Sequence, residues 1–178
     1  MWAILLQCID TLFKEGKKMR SNDFGNIACP VADILGVLGD KWTGLLLRDL
    51  MLGINRYSDL QKSSNITNAT LTDRLKNLEH NGLVRKQLYQ TRPDRYEYCL
   101  TEQGTDMEWL MLAMAKIGTK WNLSGWKNVP LRFVNKETGM PVRLVLLDED
   151  TGEEINLENV TPIRQVLKGV LKDTDAHP

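Results

Sequence analysis

The sequence predicts a mainly α fold with one small β-hairpin (α+β), followed by a carboxyl-terminal β-hairpin extension. Three observations carry this. Apolar residues recur at intervals of three and four along successive segments between residues 31 and 123, the spacing of helices that lie on a core. Residues 83–100 instead alternate apolar and polar around a turn, the period of a strand pair. A chain of 178 residues, 42% hydrophobic, is long enough for one main core with an appendage, while two full domains would be cramped.

Val31, Ile34, Leu35 and Leu38 form one helical stripe, with Pro30 suited to the first turn. Gly39-Asp40 breaks it, and Asp40 is placed to cap a second helix in which Trp42, Leu45, Leu46, Asp49 and Leu50 advance to a stop at Gly53. Ser58 is expected to cap a short helix through about Ser63, with Gln61 completing a capping-box spacing. After Ser64-Asn65-Ile66-Thr67-Asn68, a further helix places Leu71, Leu75 and Leu78 on an inward stripe and stops at Asn81-Gly82. Two short helices joined by a tight turn, the second presenting small polar residues at its amino end, make a helix-turn-helix. Leu83 to Gln90 and Arg95 to Leu100 read as strands joined by Thr91-Arg92-Pro93-Asp94, so the hairpin is a wing.

Thr101-Glu102-Gln103-Gly104 opens a long helix running to about Leu123. Its stripe of Met107, Leu110, Met111, Met114, Ala115, Gly118 and Trp121 leaves Trp109, Leu112, Ala113 and Ile117 on the remaining surface. A helix apolar nearly all round is buried on most sides, and a partner subunit is the expected cover. In the tail, Leu131-Arg132-Phe133-Val134 leads to Glu137-Thr138-Gly139, and Leu144-Val145-Leu146-Leu147 leads to Asp150-Thr151-Gly152, a weak repeat read as two hairpins.

The expected organisation is an amino-terminal extension or dimerisation helix over residues 1–27, a winged helix-turn-helix over 28–124, and a hairpin extension with an acidic tail over 125–178. Two readings of residues 1–18 stand side by side. Lys14-Glu15-Gly16-Lys17-Lys18 implies purine-rich codons able to serve as a ribosome-binding site, which would make Met19 the natural start; alternatively, Ile4, Leu5, Cys8, Ile9 and Leu12 form a short amphipathic helix against a partner.

The formal net charge is zero, but its distribution is uneven. From Arg56 to Glu97 eight basic residues face five acidic ones, whereas from Val129 to Pro178 six face nine, so the middle is the candidate anion-binding surface. Cys8, Cys29 and Cys99 are scattered and lack a Cys-x-x-Cys pair. Neither a disulfide framework nor a thiolate metal knuckle is indicated, and a reducing cytoplasm is expected. The apolar opening residues lack a basic lead and are interrupted by Gln7, Asp10 and Lys14, unlike a signal peptide or a membrane span. His80 and His177 have no evident nucleophile or carboxylate arrangement, and a glycine-rich phosphate loop is missing, so neither catalysis nor a cofactor is expected.

The chain resembles the HxlR-type branch of the winged-helix regulators, distant relatives of the MarR type. The resemblance is carried by Cys29-Pro30, Leu38-Gly39-Asp40-Lys41-Trp42, Arg56-Tyr57-Ser58-Asp59-Leu60, the run from Leu71 to Glu79, Gly82-Leu83-Val84, Tyr96-Glu97-Tyr98 and Leu100-Thr101-Glu102-Gln103-Gly104. It implies a homodimeric transcription factor, by default a repressor, on a pseudo-palindromic operator of double-stranded DNA. Some relatives use a cysteine at the position of Cys29 to sense quinones, aldehydes or oxidants, and a helix amino end is a setting that favours reactive thiols. Simple burial is the competing reading for Cys29 and the expected one for Cys8 and Cys99. The tail is similar to an extension whose hairpin turns carry the paired cysteines of a zinc ribbon. Thr138, Asp148 and Thr151 stand at those positions here, so no metal is expected.

Asn68, Thr70, Arg74 and Asn77 are the expected base readers, because helix-turn-helix docking brings the amino end of the second helix to the base edges. There an Asn can read adenine and an Arg guanine. Helix capping is the competing role for Asn68 and Thr70, and a surface ion pair for Arg74. Asp73 is expected to orient a neighbouring Arg. Lys62, Lys76, Arg92 and Arg95 are the expected phosphate contacts, the last two at the wing tip. Trp42, Trp109 and Trp121 are read as core in preference to the lining of a pocket for an aromatic effector. The competing function is a winged-helix protein-interaction or ligand-binding module without DNA binding, which would lack the basic face.

Overall fold

The computed structural model describes residue 27, residues 29–122 and residues 124–163. The two readings of residues 1–18, the expected burial of Cys8 and the position of His177 lie outside the described residues. The chain divides into two compact units between Asn128 and Val129.

In the first unit, α1 (Pro30–Leu38) begins on Pro30 as expected. The Oδ1 atom of Asp40 caps α2 (Lys41–Met51), accepting the amide N–H of Trp42 at 3.0 Å and of Thr43 at 3.1 Å. Helix α3 (Tyr57–Ser64) departs from expectation. Its N-cap is Arg56, with no side-chain cap, and Ser58 lies inside the helix with its hydroxyl donated to Asp59. The reason is tertiary: Asn55 accepts the Tyr98 N–H at 2.8 Å and Arg56 bridges Glu97, so the chain stays extended through Arg56 and the capping box does not form. The helix-turn-helix turn passes through Asn65 at φ 49, a left-handed conformation that Asn tolerates. Helix α4 (Asn68–His80) is capped by Thr67, which accepts the Thr70 N–H at 3.3 Å.

Leu71, Leu75 and Leu78 of α4 are buried with Val37, Leu46, Leu47, Leu60 and Leu83, each worth about 1.5–3 kcal/mol. Buried among them is Asp49. Arg48 donates to its Oδ1 through Nε (2.9 Å) and Nη2 (2.6 Å), and the Ser64 hydroxyl donates to its Oδ2 at 2.9 Å. This satisfied carboxylate pins α2 to the end of α3.

Strands β1 (Val84–Thr91) and β2 (Asp94–Leu100) pair antiparallel, with Val84 opposite Leu100, Leu88 opposite Tyr96 and a bulge between Leu88 and Gln90. Val84, Tyr98 and Leu100 share the face laid on the core. Thr101 closes the hairpin at its root: its N–H donates to Leu83 O at 3.0 Å, its hydroxyl donates to Gly82 O at 2.6 Å, and that hydroxyl accepts the Gly104 N–H at 3.1 Å. Helix α5 (Glu102–Trp121) starts there, and a Cβ at Gly104 would overlap the Leu83 carbonyl oxygen.

Gly104, Met107 and Met111 are the buried residues of α5. Trp42 packs against the core, but Trp109 and Trp121 stand 68% and 66% exposed. The core reading of those two tryptophans therefore does not hold within the single chain.

In the second unit β3 (Leu146–Leu147) pairs antiparallel with β4 (Glu154–Ile155), and Val134 bridges Pro141. The two turns are the same structure made twice. Asn135 Oδ1 accepts the N–H of Glu137 (2.8 Å) and Thr138 (3.1 Å), and Asp148 Oδ1 accepts those of Asp150 and Thr151 (both 3.0 Å). Thr138 and Thr151 then each accept the N–H two residues on. The Thr151 and Asp150 amides hold the Asp148 carboxyl below the usual carboxylate range. Among the described residues no three or more His, Cys, Asp or Glu are grouped to hold a metal ion, and no helix is long and apolar enough to cross a membrane.

Candidate nucleic-acid interface

The stripe of α4 opposite its leucines is open to solvent: Asn68, Ala69, Asp73, Lys76 and His80 are all exposed. Asn68 opens the helix and is steadied by α3, whose Tyr57 hydroxyl donates to the Asn68 carbonyl at 3.0 Å and reaches its Oδ1 at 3.4 Å. The same hydroxyl lies 3.0 Å from that of Thr72. Thr70 is half-buried, its hydroxyl 2.9 Å from that of the cap residue Thr67. Capping thus falls to Thr67, and the exposed Asn68 side chain takes no part in it.

Lys62, Lys76, Arg92 and Arg95 are exposed, and none forms an ion pair among the described residues. Lys62 borders an open depression with Gly53, Ile54, Asn55, Arg56 and Asp59. Arg92 occupies the two-residue tip of the hairpin with Pro93, and Arg95 pairs with Gln90 beside it.

Arg74 and Asn77 are placed differently from Asn68. Arg74 donates through Nε and Nη2 to Asp40 Oδ2, both at 2.6 Å, and Asn77 donates to the Val37 carbonyl at 3.2 Å. Asp73 forms no ion pair among the described residues, so Arg74 takes its partner from outside the helix. The sequence signal available for this was only the presence of an acid at a helix cap 34 residues away.

Two further cations, Lys86 in the wing and Arg56 at the start of α3, were not among the expected contacts. The Arg56 guanidinium lies 4.8 Å from the Tyr89 ring centroid and the Lys86 ammonium 4.1 Å from that of Tyr96, cation–π contacts that orient both charges over the hairpin. The strand register sets Lys86 beside the Tyr96 strand, and the Arg56–Glu97 bridge brings Arg56 to the hairpin.

Cys29 is the N-cap residue of α1, half-buried, with no side-chain capping bond. Cys99 is also half-buried and not enclosed, its thiol donating to Gln87 Oε1 at 3.7 Å.

Residues 37–124 match the model of the HxlR-like helix-turn-helix family. The HTH-type transcriptional regulator Rv3095 of Mycobacterium tuberculosis is 32% identical over 132 residues, 74% of this chain and 83% of that relative. The crystal structure of PA1607, a candidate transcription factor, is 29% identical with a TM-score of 0.71, covering 81% of this chain and all of that one. HypR, a redox regulator in its reduced form, is 33% identical with a TM-score of 0.50, covering 54% of this chain and 96% of that one. An α4 helix with an open polar start, a basic hairpin beside it and a supporting core are thus found where the relatives carry their helix-turn-helix, and the chain belongs to the HxlR-like helix-turn-helix family of transcriptional regulators.

Proposed function

We propose that this regulator is a homodimeric repressor that inserts α4 into the major groove at each half of a pseudo-palindromic operator. The observation that carries the reading is the exposed Asn68 at the start of α4, together with four exposed cations, Lys62, Lys76, Arg92 and Arg95, that form no ion pair among the described residues. Asn68 and Thr70 read base edges, a bidentate Asn–adenine contact being worth about 1–3 kcal/mol of discrimination. Lys62 and Lys76 lie along the backbone, and Arg92 and Arg95 reach it from the wing.

Single alanine variants at these positions separate the two roles. Each lost phosphate contact lowers the slope of log affinity against log salt by about 0.9 and weakens binding to all sequences alike. Asn68→Ala instead relaxes preference at particular base pairs. The measurement is a salt titration on operator and scrambled duplexes, and indistinguishable behaviour of the two groups defeats the assignment. Salt-insensitive or absent binding would favour the protein-interaction module.

Dimerisation is supported by the apolar surface left open on two helices: Val31 and Leu35 of α1, and Trp109, Met114, Ile117 and Trp121 of α5. Large apolar groups exposed together on neighbouring turns mark a protein contact.

A redox or electrophile response is proposed at Cys29, supported by its place at the start of α1 and by the likeness to HypR, itself described as a redox regulator. Treatment with a quinone or diamide is expected to release the operator from the unaltered chain and not from Cys29→Ser. Equal release from both would remove Cys29 as the sensor.

A further inference from the structure

We infer that Arg74 and Asn77 are positioning residues that latch the recognition helix to the carboxyl end of α1, in place of reading bases themselves. The inference rests on the reading of α4 as the recognition helix. Asp40 divides its carboxylate between two tasks: Oδ1 takes the Trp42 and Thr43 amides at the start of α2, and Oδ2 takes both Nε and Nη2 of Arg74. The pair is partly withdrawn from water, with side chains 36% and 27% exposed, and charge-assisted bonds of this kind are the stronger hydrogen bonds of proteins.

One turn further along α4, Asn77 donates to the carbonyl of Val37 and receives the Asn81 amide on its own Oδ1. Val37 lies in the last turn of α1, and Asp40 follows that helix by two residues. Two side chains spaced by three on α4 therefore grip one short stretch, residues 37–40. Residues three apart lie on one face of a helix, so the grip fixes both the rotation of α4 about its axis and its distance from α1. Rotation decides whether Asn68 faces a base edge. An Arg74 committed to Asp40 would have to abandon a short ion pair to touch a base.

The latch is tested with Asp40→Asn, Arg74→Met and their combination in the full chain. Asparagine caps a helix as well as aspartate does, so Asp40→Asn keeps the α2 cap while removing the charge that holds Arg74. The probe is a duplex selected by the unaltered chain from a randomised pool. Each single variant is expected to weaken binding by about tenfold, the double variant to be no weaker than either single one, and both single variants to share the same base preference at every position.

Loss of preference at one base pair in Arg74→Met, with Asp40→Asn binding normally, would overturn the latch and restore Arg74 as a reader. Hydrogen exchange of the amides of residues 68–80 without DNA gives an independent answer. Exchange should quicken several-fold in both single variants, and unchanged exchange overturns the latch. A chain that selects no duplex ends the DNA-binding reading, and the exchange result still decides whether the latch exists.

Discussion

Replacing Gly104 with alanine is expected to destabilise the fold by about 3 kcal/mol and to lower the melting midpoint by roughly 10 °C. The added Cβ would overlap the carbonyl oxygen of Leu83 and lie 3.1 Å from Leu100 Cδ2. The obstructing atom is backbone, and it is already held in place as the acceptor of the Thr101 N–H. Relief would require α5 to move off the root of the hairpin, and Met107 and Met111 would leave the core with it. Gly44→Ala is the matched control, since nothing lies within 4 Å of a Cβ there; within α2 that change should be neutral or stabilising by up to about 1 kcal/mol. Urea denaturation of the two variants decides the matter, and equal midpoints would dismiss the steric account.

The second large effect is expected on the exposed half of α5. Trp109→Glu combined with Ile117→Glu should convert the proposed dimer to a monomer and reduce operator affinity by about 100-fold. Each group is worth about 1.5–3 kcal/mol when buried, and two-fold symmetry counts every loss twice. Both residues are exposed in the single chain, at 68% and 59%, so the thermal stability of the protomer itself should hardly change. Sedimentation velocity reports the association state, and a variant that stays dimeric would refute this surface as the interface.

Asp40 as a cap, Pro30 in the first turn of α1 and the Leu71, Leu75 and Leu78 stripe were readable because each depends on neighbours within one or two turns. Ser58 differs for the opposite reason: it lies inside α3 and does not cap it. Its local signal for capping is sound, but pairing of Asn55 and Arg56 with β2, 42 residues away in the Asn55–Glu97 contact, decides where α3 begins. Arg74 was recognisable as polar and on α4, while its partner at Asp40 depends on how α1, α2 and α4 pack. The tryptophans of α5 illustrate a third case. Periodicity places Trp121 on the apolar stripe of α5 and Trp109 on its remaining surface, yet it carries no information on whether either is covered by the same chain.

The bonds from Thr101 to Gly82 and Leu83 have a consequence for how such a regulator can diversify. They close an 18-residue excursion at its base, so the hairpin's ends are fixed whatever happens at its tip. Lengthening a loop whose ends are already held costs little, about 0.6 kcal/mol for a doubling. Residues inserted between Arg92 and Pro93 would therefore leave the core and α5 undisturbed while extending the wing's span. Reach over the duplex would be adjustable by small insertions at one point, independently of α4, proposed to read the sequence, and of α5, proposed to join the subunits.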